Sequence, residues 1–380
     1  MNLKSLKIVA DENIPAAELL FSGFGEVVRR PGRQLSATDV ADADLLLVRS
    51  ITPVNEALLA GSKVRFVGTA TIGTDHIDQR YLQEKGISFA SAPGCNADAV
   101  TEYVLSVLSL LAGEQGFKLQ DKTLGIIGVG NVGGRLQARL EQIGVKLLLN
   151  DPPRQQSEGG EFCELHNLLQ QADIICMHTP LVKGGDHPSL HLLNKSNLSL
   201  IKQGAILLNA GRGPVIDNQD LLEWHRQRED VTLVLDVWEH EPRVDAALAE
   251  RVRIGTPHIA GYSLDGKIRG TYMLYHAFCA ANGIEPQLTL GECLPQDNAP
   301  ELELSGCVDP AKAIHQVYDP RQDDARFRDS LLDQAEQPKQ FDLLRKHYPV
   351  RREFAAVKLK GVTPGSGVAA QLTALGFNTD

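Results

Sequence analysis

The stretch TLGIIGVGNVGGRLQARLEQIGVKLLLND, residues 123–151, leaves the chain few folds to choose from. A short apolar run leads into Gly128, Gly130 and Gly133 in the spacing G-x-G-x-x-G. A helical pattern follows, and a second apolar run ends on Asp151. Two apolar strands joined by such a helix form a βαβ unit with parallel strands and the helix packed on one face. The glycines have separate tasks. Gly128 permits a tight turn, Gly130 lets the backbone approach a pyrophosphate, and Gly133 lets helix and strand pack closely. The helix head, with Asn131 and Val132, offers amide donors and positive potential to phosphate. Asp151 can accept hydrogen bonds from an adenosine ribose and repels a 2′-phosphate, which favours NAD over NADP. Arg154 is the nearby residue that could tolerate that phosphate.

The same alternation runs through most of the 380 residues. Apolar runs at 6–12, 44–50, 65–70 and 86–93 predict buried strands of a first doubly wound domain, and runs at 172–178, 204–210, 231–237 and 252–257 extend the second. Between them, NADAVTEYVLSVLSLLAGEQG from Asn96 reads as a long bridging helix. The expected fold is α/β with two doubly wound parallel sheets. One is a flavodoxin-like substrate or lid domain of residues 1–95 and 258–282, the other a Rossmann domain of residues 96–257. A small α+β domain, 283–380, completes the chain, with two amphipathic helices broken at Pro320, a helix near 338–347 and a strand at 352–361. Its apolar residues Ile314, Val317, Phe327 and Leu331 suggest a dimerisation face.

Composition excludes several classes of function. A net charge of −10 argues against a general nucleic-acid surface. No apolar stretch approaches the roughly 18 residues of a membrane span. The start, MNLKSLKIVADEN, has no apolar signal region. Cys95, Cys163, Cys176, Cys279, Cys293 and Cys307 are scattered, which predicts reduced thiols and no metal site. A cytoplasmic protein is expected.

Three loops after apolar runs carry the candidate chemistry: LLNAGRGPVID with Arg212, LDVWEHEP with Glu241 and TPHIAGYS with His258. A guanidinium can clamp a carboxylate, an imidazole can take a hydroxyl proton, and a carboxylate can orient that imidazole. Thr179, Ala210, Gly211 and Asp236 also end apolar runs, where an α/β sheet meets its ligand.

GCNADAVTEYV, GVGNVGGRL, LLNAGRGPVID, DVWEHEP and TPHIAGYS, in that order, resemble the D-isomer-specific 2-hydroxyacid dehydrogenases from Leu6 to about Ala280. The resemblance implies a homodimer with its active site in an interdomain cleft and an Arg–Glu–His set at Arg212, Glu241 and His258. It assigns Gly261 to the cofactor, and Ser50 and Thr71 to the substrate. Tyr262 could reach either. First-domain motifs such as VRSITPVNEALL and GTATIGTDHID, with the long tail, resemble a biosynthetic member acting on a small phosphorylated hydroxy acid. Arg49 is a candidate partner for that phosphate, and so are Arg351 and Arg352 of the tail. An enzyme for 3-phosphoglycerate or hydroxypyruvate, or an NAD-sensing corepressor, would carry the same triad.

Overall fold

The computed structural model describes residues 5–295, 299–304 and 309–379. They form two compact units, Met1–Asn96 with Ser263–Ala299, and Ala97–Tyr262 with Pro300–Asp380.

The first unit is built on five parallel strands, β1 (Leu6–Asp11), β2 (Gly25–Arg30), β3 (Leu45–Val48), β4 (Phe66–Thr69) and β5 (Ser88–Ala90). Their order is β2-β1-β3-β4-β5, the flavodoxin-like winding. The sequence reading missed β2. Its segment, GEVVRR, pairs only with β1 and has no fully buried residue, so it lacks the apolar run that marks the inner strands. Helix Leu264–Ala281 covers this sheet, placing Ile268, Leu274 and Phe278 in a core with Phe21 and Phe66.

The second unit has six parallel strands, β6 (Thr123–Ile127), β7 (Lys146–Asn150), β8 (Ile174–Met177), β9 (Ile206–Asn209), β10 (Thr232–Leu235) and β11 (Ile254–Gly255). Their order, β11-β10-β9-β8-β6-β7, reverses direction between β6 and β8. Such a switch point opens a crevice at the carboxyl ends of the strands. Beyond β7, Cys163 N donates to Leu149 O at 2.8 Å, so the chain still follows that edge. β8 and β9 are buried throughout, as strands covered on both faces must be. The bridging helix, Ala97–Gln115, is buried along most of its length within this unit.

Two expected boundaries move. Residues 258–262 stay with the second unit, because the carboxylate of Asp236 holds Ile259 N and Ala260 N at 2.8 and 3.0 Å. The tail does not stand apart either. Its own sheet is one parallel pair, β12 (Glu301–Glu303) and β13 (Lys358–Lys360), too small to bury a core. The tail therefore packs on the nucleotide-binding sheet's helices. Phe327 stacks on Trp238 at 5.1 Å, and Leu372 and Phe377 join Leu136 and Leu140. Ile314 and Phe327, expected on an exposed dimerisation face, are 3% and 1% exposed and filled by their own chain. Arg351 is buried as well. It bonds the carbonyl of Ala99 and lies 4.2 Å over the Tyr318 ring, against the bridging helix.

Among the described residues no helix is long and apolar enough to cross a membrane, and no cluster of His, Cys, Asp and Glu could hold a metal ion. Cys95, Cys163, Cys176, Cys279 and Cys293 are not in disulfides; Cys307 lies outside the described residues.

Where the tail meets the bridging helix, Glu102 is buried beside Glu353 and Arg351 and accepts from Phe354 N at 2.8 Å. Burial, followed by the charge of Glu353, pushes its carboxyl up to about 8, against the pull of Arg351 and Arg139. The folded state thus holds this proton more tightly than the unfolded chain. Its contribution to stability is full below the ordinary carboxylate range and is lost as pH rises towards about 8. Glu102→Gln should flatten the fall in melting temperature between about pH 5 and 8; about 1 kcal/mol shifts a unit of this size by roughly 2–4 °C. Parallel pH profiles for the two proteins would count against a buried proton here.

Candidate active site

The glycine loop leaves β6 with Gly128 at φ +85°, a left-handed turn that a side chain resists. A Cβ on Gly128 would sit 2.8 Å from Thr179 N, and one on Gly211 would sit 3.0 Å from Thr179 O. The ends of β6, β8 and β9 therefore meet, bringing Gly128, Thr179, Ala210 and Gly211 together. Gly133 packs so tightly that a Cβ there would fall 2.1 Å from Gly128 O. Gly130 is the opposite case. A Cβ there would meet nothing within 4 Å, and this open space lies at the head of helix Asn131–Gln142, which includes Val132. Open space at a helix N-terminus fits the phosphates of a dinucleotide. His178 lines the same strand end. Burial pushes its imidazole down to about 4, and both ring nitrogens are buried without a hydrogen-bond partner.

Asp151 follows β7 and ties the loop down. Its Oδ2 accepts from Val129 N at 2.8 Å, and its Oδ1 caps the next helix through Arg154 N at 3.1 Å. Arg154 is committed elsewhere, with Nη2 on Glu158 and Nη1 on Val129 O, both at 2.6 Å.

The three chemical loops belong to one unit and are braced against one another. Asn209 shapes the loop of Arg212, accepting from Gly211 N and donating to Arg212 O, both at 3.0 Å. A Cβ on Gly213 would sit 2.0 Å from Trp238 O, so this loop lies flat against the segment leading to Glu241. Glu241 accepts from Trp238 N through Oε1 at 2.8 Å and faces His258 Nδ1 through Oε2 at 2.8 Å. Burial works to raise the Glu241 carboxyl, but the charge and hydrogen bond of His258, then Arg345 and Trp238 N–H, hold it below its ordinary value.

His258 has φ +56°, which a non-glycine residue adopts only when held there. The holder is Asp236. Its carbonyl accepts from His258 N at 2.7 Å, and its Oδ1 accepts from Thr256 Oγ1 at 2.7 Å and Ile259 N at 2.8 Å. Tyr103, on the bridging helix, completes the chain at 2.9 Å from Thr256 Oγ1. Gly261 and Tyr262 close the turn, with Tyr262 N bonded to Ile259 O at 2.7 Å.

In the first unit, Arg49, Ser50 and Thr71 share the carboxyl edge of the sheet, beyond β3 and β4. Arg49 lies 3.8 Å from Asp11 and is largely covered. Ser50 is exposed. Thr71 donates to Gly73 O at 3.1 Å and lies 2.7 Å from Thr69 Oγ1, which contacts His76 Nε2 at 3.0 Å. Burial pushes His76 down to about 4, so it is a neutral partner.

Two residues near the triad escaped the sequence reading. Trp238 contributes through a backbone amide, which no side-chain pattern reveals. Arg345 lies about 90 positions beyond the triad, on a helix recognisable only as amphipathic.

A family model described as D-isomer specific 2-hydroxyacid dehydrogenase, NAD binding domain, matches residues 110–260. A model for a domain of unknown function matches residues 293–376. The NAD⁺-bound 3-phosphoglycerate dehydrogenase of Entamoeba histolytica is similar at 26% identity and a TM-score of 0.63, over 75% of this chain and 99% of that one. The D-lactate dehydrogenase of Aquifex aeolicus, at 23% identity and a TM-score of 0.59 over 73% of this chain and 96% of that one, shows the shared fold. Fold and strand-end loops define a 2-hydroxyacid dehydrogenase with an NAD-binding domain. The erythronate-4-phosphate dehydrogenase of Pseudomonas entomophila (strain L48) is 53% identical over 376 residues, 97% of this chain and 98% of that one. That of Pseudomonas fluorescens (strain SBW25) is 50% identical over 374 residues, again 97% and 98%. The chain belongs to the erythronate-4-phosphate dehydrogenase family of D-isomer-specific 2-hydroxyacid dehydrogenases, and its cofactor is NAD.

Gly133→Ala puts a methyl group into Gly128 O, so the loop must shift. We expect NAD affinity to fall by about tenfold or more, a loss of roughly 1.4 kcal/mol or more, in a fluorescence titration of the folded variant. Unchanged affinity would remove this loop from the cofactor site.

Proposed function

We propose that the protein oxidises 4-phospho-D-erythronate to 2-oxo-3-hydroxy-4-phosphobutanoate in the biosynthesis of pyridoxal 5′-phosphate. The observation that carries this reading is the 2.8 Å pair of His258 Nδ1 and Glu241 Oε2. With Nδ1 turned to Glu241, Nε2 is the nitrogen that can take the proton of the substrate's C2 hydroxyl. NAD, when bound, accepts the hydride that leaves C2 with its electron pair. As the O–H bond breaks, its electrons close the C2 carbonyl and the proton stays on His258. Glu241 stabilises the imidazolium so formed. Arg212 clamps the C1 carboxylate through its planar fork and draws charge from the C2 oxygen.

The remaining residues divide between cofactor and substrate. Gly128, Gly130, Asn131, Val132 and Gly133 hold the pyrophosphate, and Asp151 takes the ribose hydroxyls. Arg154, already bonded to Glu158, is poorly placed to welcome a 2′-phosphate. Thr179, Ala210, Gly211, Arg212 and Gly261 border the nicotinamide half. Asp236 uses three of about four acceptor positions on its own loop, and the last suits the carboxamide N–H₂. Thr71, whose proton goes to Gly73 O, offers the substrate lone pairs. Ser50 and Tyr262 add hydroxyls, and Arg49 adds a cation. The reading includes a cytoplasmic homodimer; sedimentation at twice the chain mass would support the dimer.

The test is a substrate panel followed by NADH absorbance. 4-Phospho-D-erythronate should give a higher kcat/KM than 3-phosphoglycerate, glycerate or hydroxypyruvate assayed in its own direction; the reverse ranking would overturn the substrate while sparing the chemistry. His258→Ala should lower kcat by about 10²–10⁴-fold with little change in NAD affinity. Retained turnover would take the base away from His258.

A further inference from the structure

We propose that Arg345, carried to the reaction loop by the tail, recognises the phosphate of the substrate. The inference rests on the proposed function and adds a residue for the substrate's far end.

The tail is fastened where the catalytic carboxylate is made. Gln337 donates from Nε2 to Pro242 O at 2.9 Å and accepts from Val244 N at 3.3 Å, gripping the segment just after Glu241. Phe341, fully buried, anchors the helix Gln337–Lys346 in the core with Phe327 and Trp238. One turn further on, the Tyr348 ring meets Tyr262 edge-on at 5.6 Å, and its hydroxyl donates to Asp323 Oδ2 at 2.7 Å. Arg345 is fixed between these anchors. Its guanidinium carbon lies 5.8 Å from the Tyr262 ring centroid and 5.9 Å from that of Phe341.

The Tyr262 side chain takes one hydrogen bond from Arg345 and Asp342 adds a nearby charge, but the guanidinium is held chiefly against rings. Aromatic faces attract a guanidinium but do not accept its in-plane N–H groups as a carboxylate does. Glu241 is close enough for Arg345 to stabilise its charge, yet its two oxygens are already bonded to Trp238 N and His258. The Nε of Arg345 is buried with no hydrogen-bond partner. A buried donor left unpaired is costly, and an oxyanion that completes it removes the cost. The planar fork matches phosphate better than any other side chain. Tyr262, against which Arg345 packs, is the fourth residue after His258, so the cation belongs to the loop that carries the base. Arg351 also keeps buried nitrogens without a partner, but its contacts are with Ala99 O, Tyr318 and Glu102 on the bridging-helix side, not with the loop of His258.

The experiment compares Arg345→Met and Arg345→Lys with the wild type, as full chains with NAD. The substrates are 4-phospho-D-erythronate and D-erythronate, and inorganic phosphate serves as a competitor. The Met variant should lose about 10²-fold in kcat/KM on the phosphorylated acid, chiefly through KM, and at least about tenfold less on D-erythronate. Lys should recover part of that preference. Inorganic phosphate should bind the NADH-loaded wild type and bind the Met variant at least about tenfold more weakly, measured calorimetrically. Equal losses on the two substrates, or unchanged phosphate binding, would overturn the proposal and leave Arg345 a prop for Glu241 and Tyr262. If Met fails to fold, as judged by melting, the substrate preference and phosphate binding of the Lys variant decide by the same criteria. If the wild type does not turn over 4-phospho-D-erythronate, the proposed function fails, while the phosphate titration still decides the role of Arg345.

Discussion

A single buried carboxylate organises the chemistry. Asp236, 1% exposed at the end of β10, turns a loop into a fixed platform by accepting from Thr256 Oγ1, Ile259 N and Ala260 N while its carbonyl takes His258 N. Left-handed backbone at a non-glycine residue costs on the order of 1–3 kcal/mol. Here it sets His258 opposite Glu241, and Glu241 is in turn held by Trp238 N. Each member of the set thus depends on backbone groups of the same parallel sheet. A base positioned this way spends little of its motion searching for its orienting partner, which is the physical content of preorganisation.

The sheet architecture explains why these groups converge although the sequence separates them. Parallel strands all deliver their carboxyl ends to one edge, so β6, β8, β9 and β10 end in the glycine loop, Thr179, Arg212 and Asp236 respectively. The close approaches of Gly128 and Gly211 to Thr179, and of Gly213 to Trp238, show how little room separates these ends. Small residues there serve proximity: a side chain at any of them would push apart the loops that must act together.

Much of this was legible in the sequence because the signals were local. A glycine pattern between an apolar run and a helix needs no partner from elsewhere, and apolar runs such as ILLN and TLVL mark strands covered on both faces. β2 was not legible, since an edge strand with two arginines carries no buried run. The boundary at 262 was not legible either, because it depends on Asp236 reaching forward to residues 259 and 260. The tail failed for a related reason. Ile314 and Phe327 were visible as apolar, but whether an apolar face meets its own chain or another is decided by tertiary packing.

The two tail arginines show how far side-chain type is from role. Arg351 had the more suggestive local sequence, KHYPVRREF, beside a second arginine. Its surroundings, the rings of Tyr318 and Tyr348, Glu102 and a backbone carbonyl of the bridging helix, make it a structural cation whose value lies in joining the tail to that helix. Arg345 had no such signal, yet its helix is pinned to the residues following Glu241, and its charge acts on that carboxylate. The difference is in what each guanidinium meets. One lies over Tyr318 and beside Tyr348 and Glu102, where the tail meets the bridging helix; the other lies against Tyr262 and near Glu241, on the loops that carry the base and its partner. A tail that packs on the nucleotide-binding unit can therefore do two things at once: stabilise the sheet's outer helices, and place a cation beside the loop where the reaction occurs.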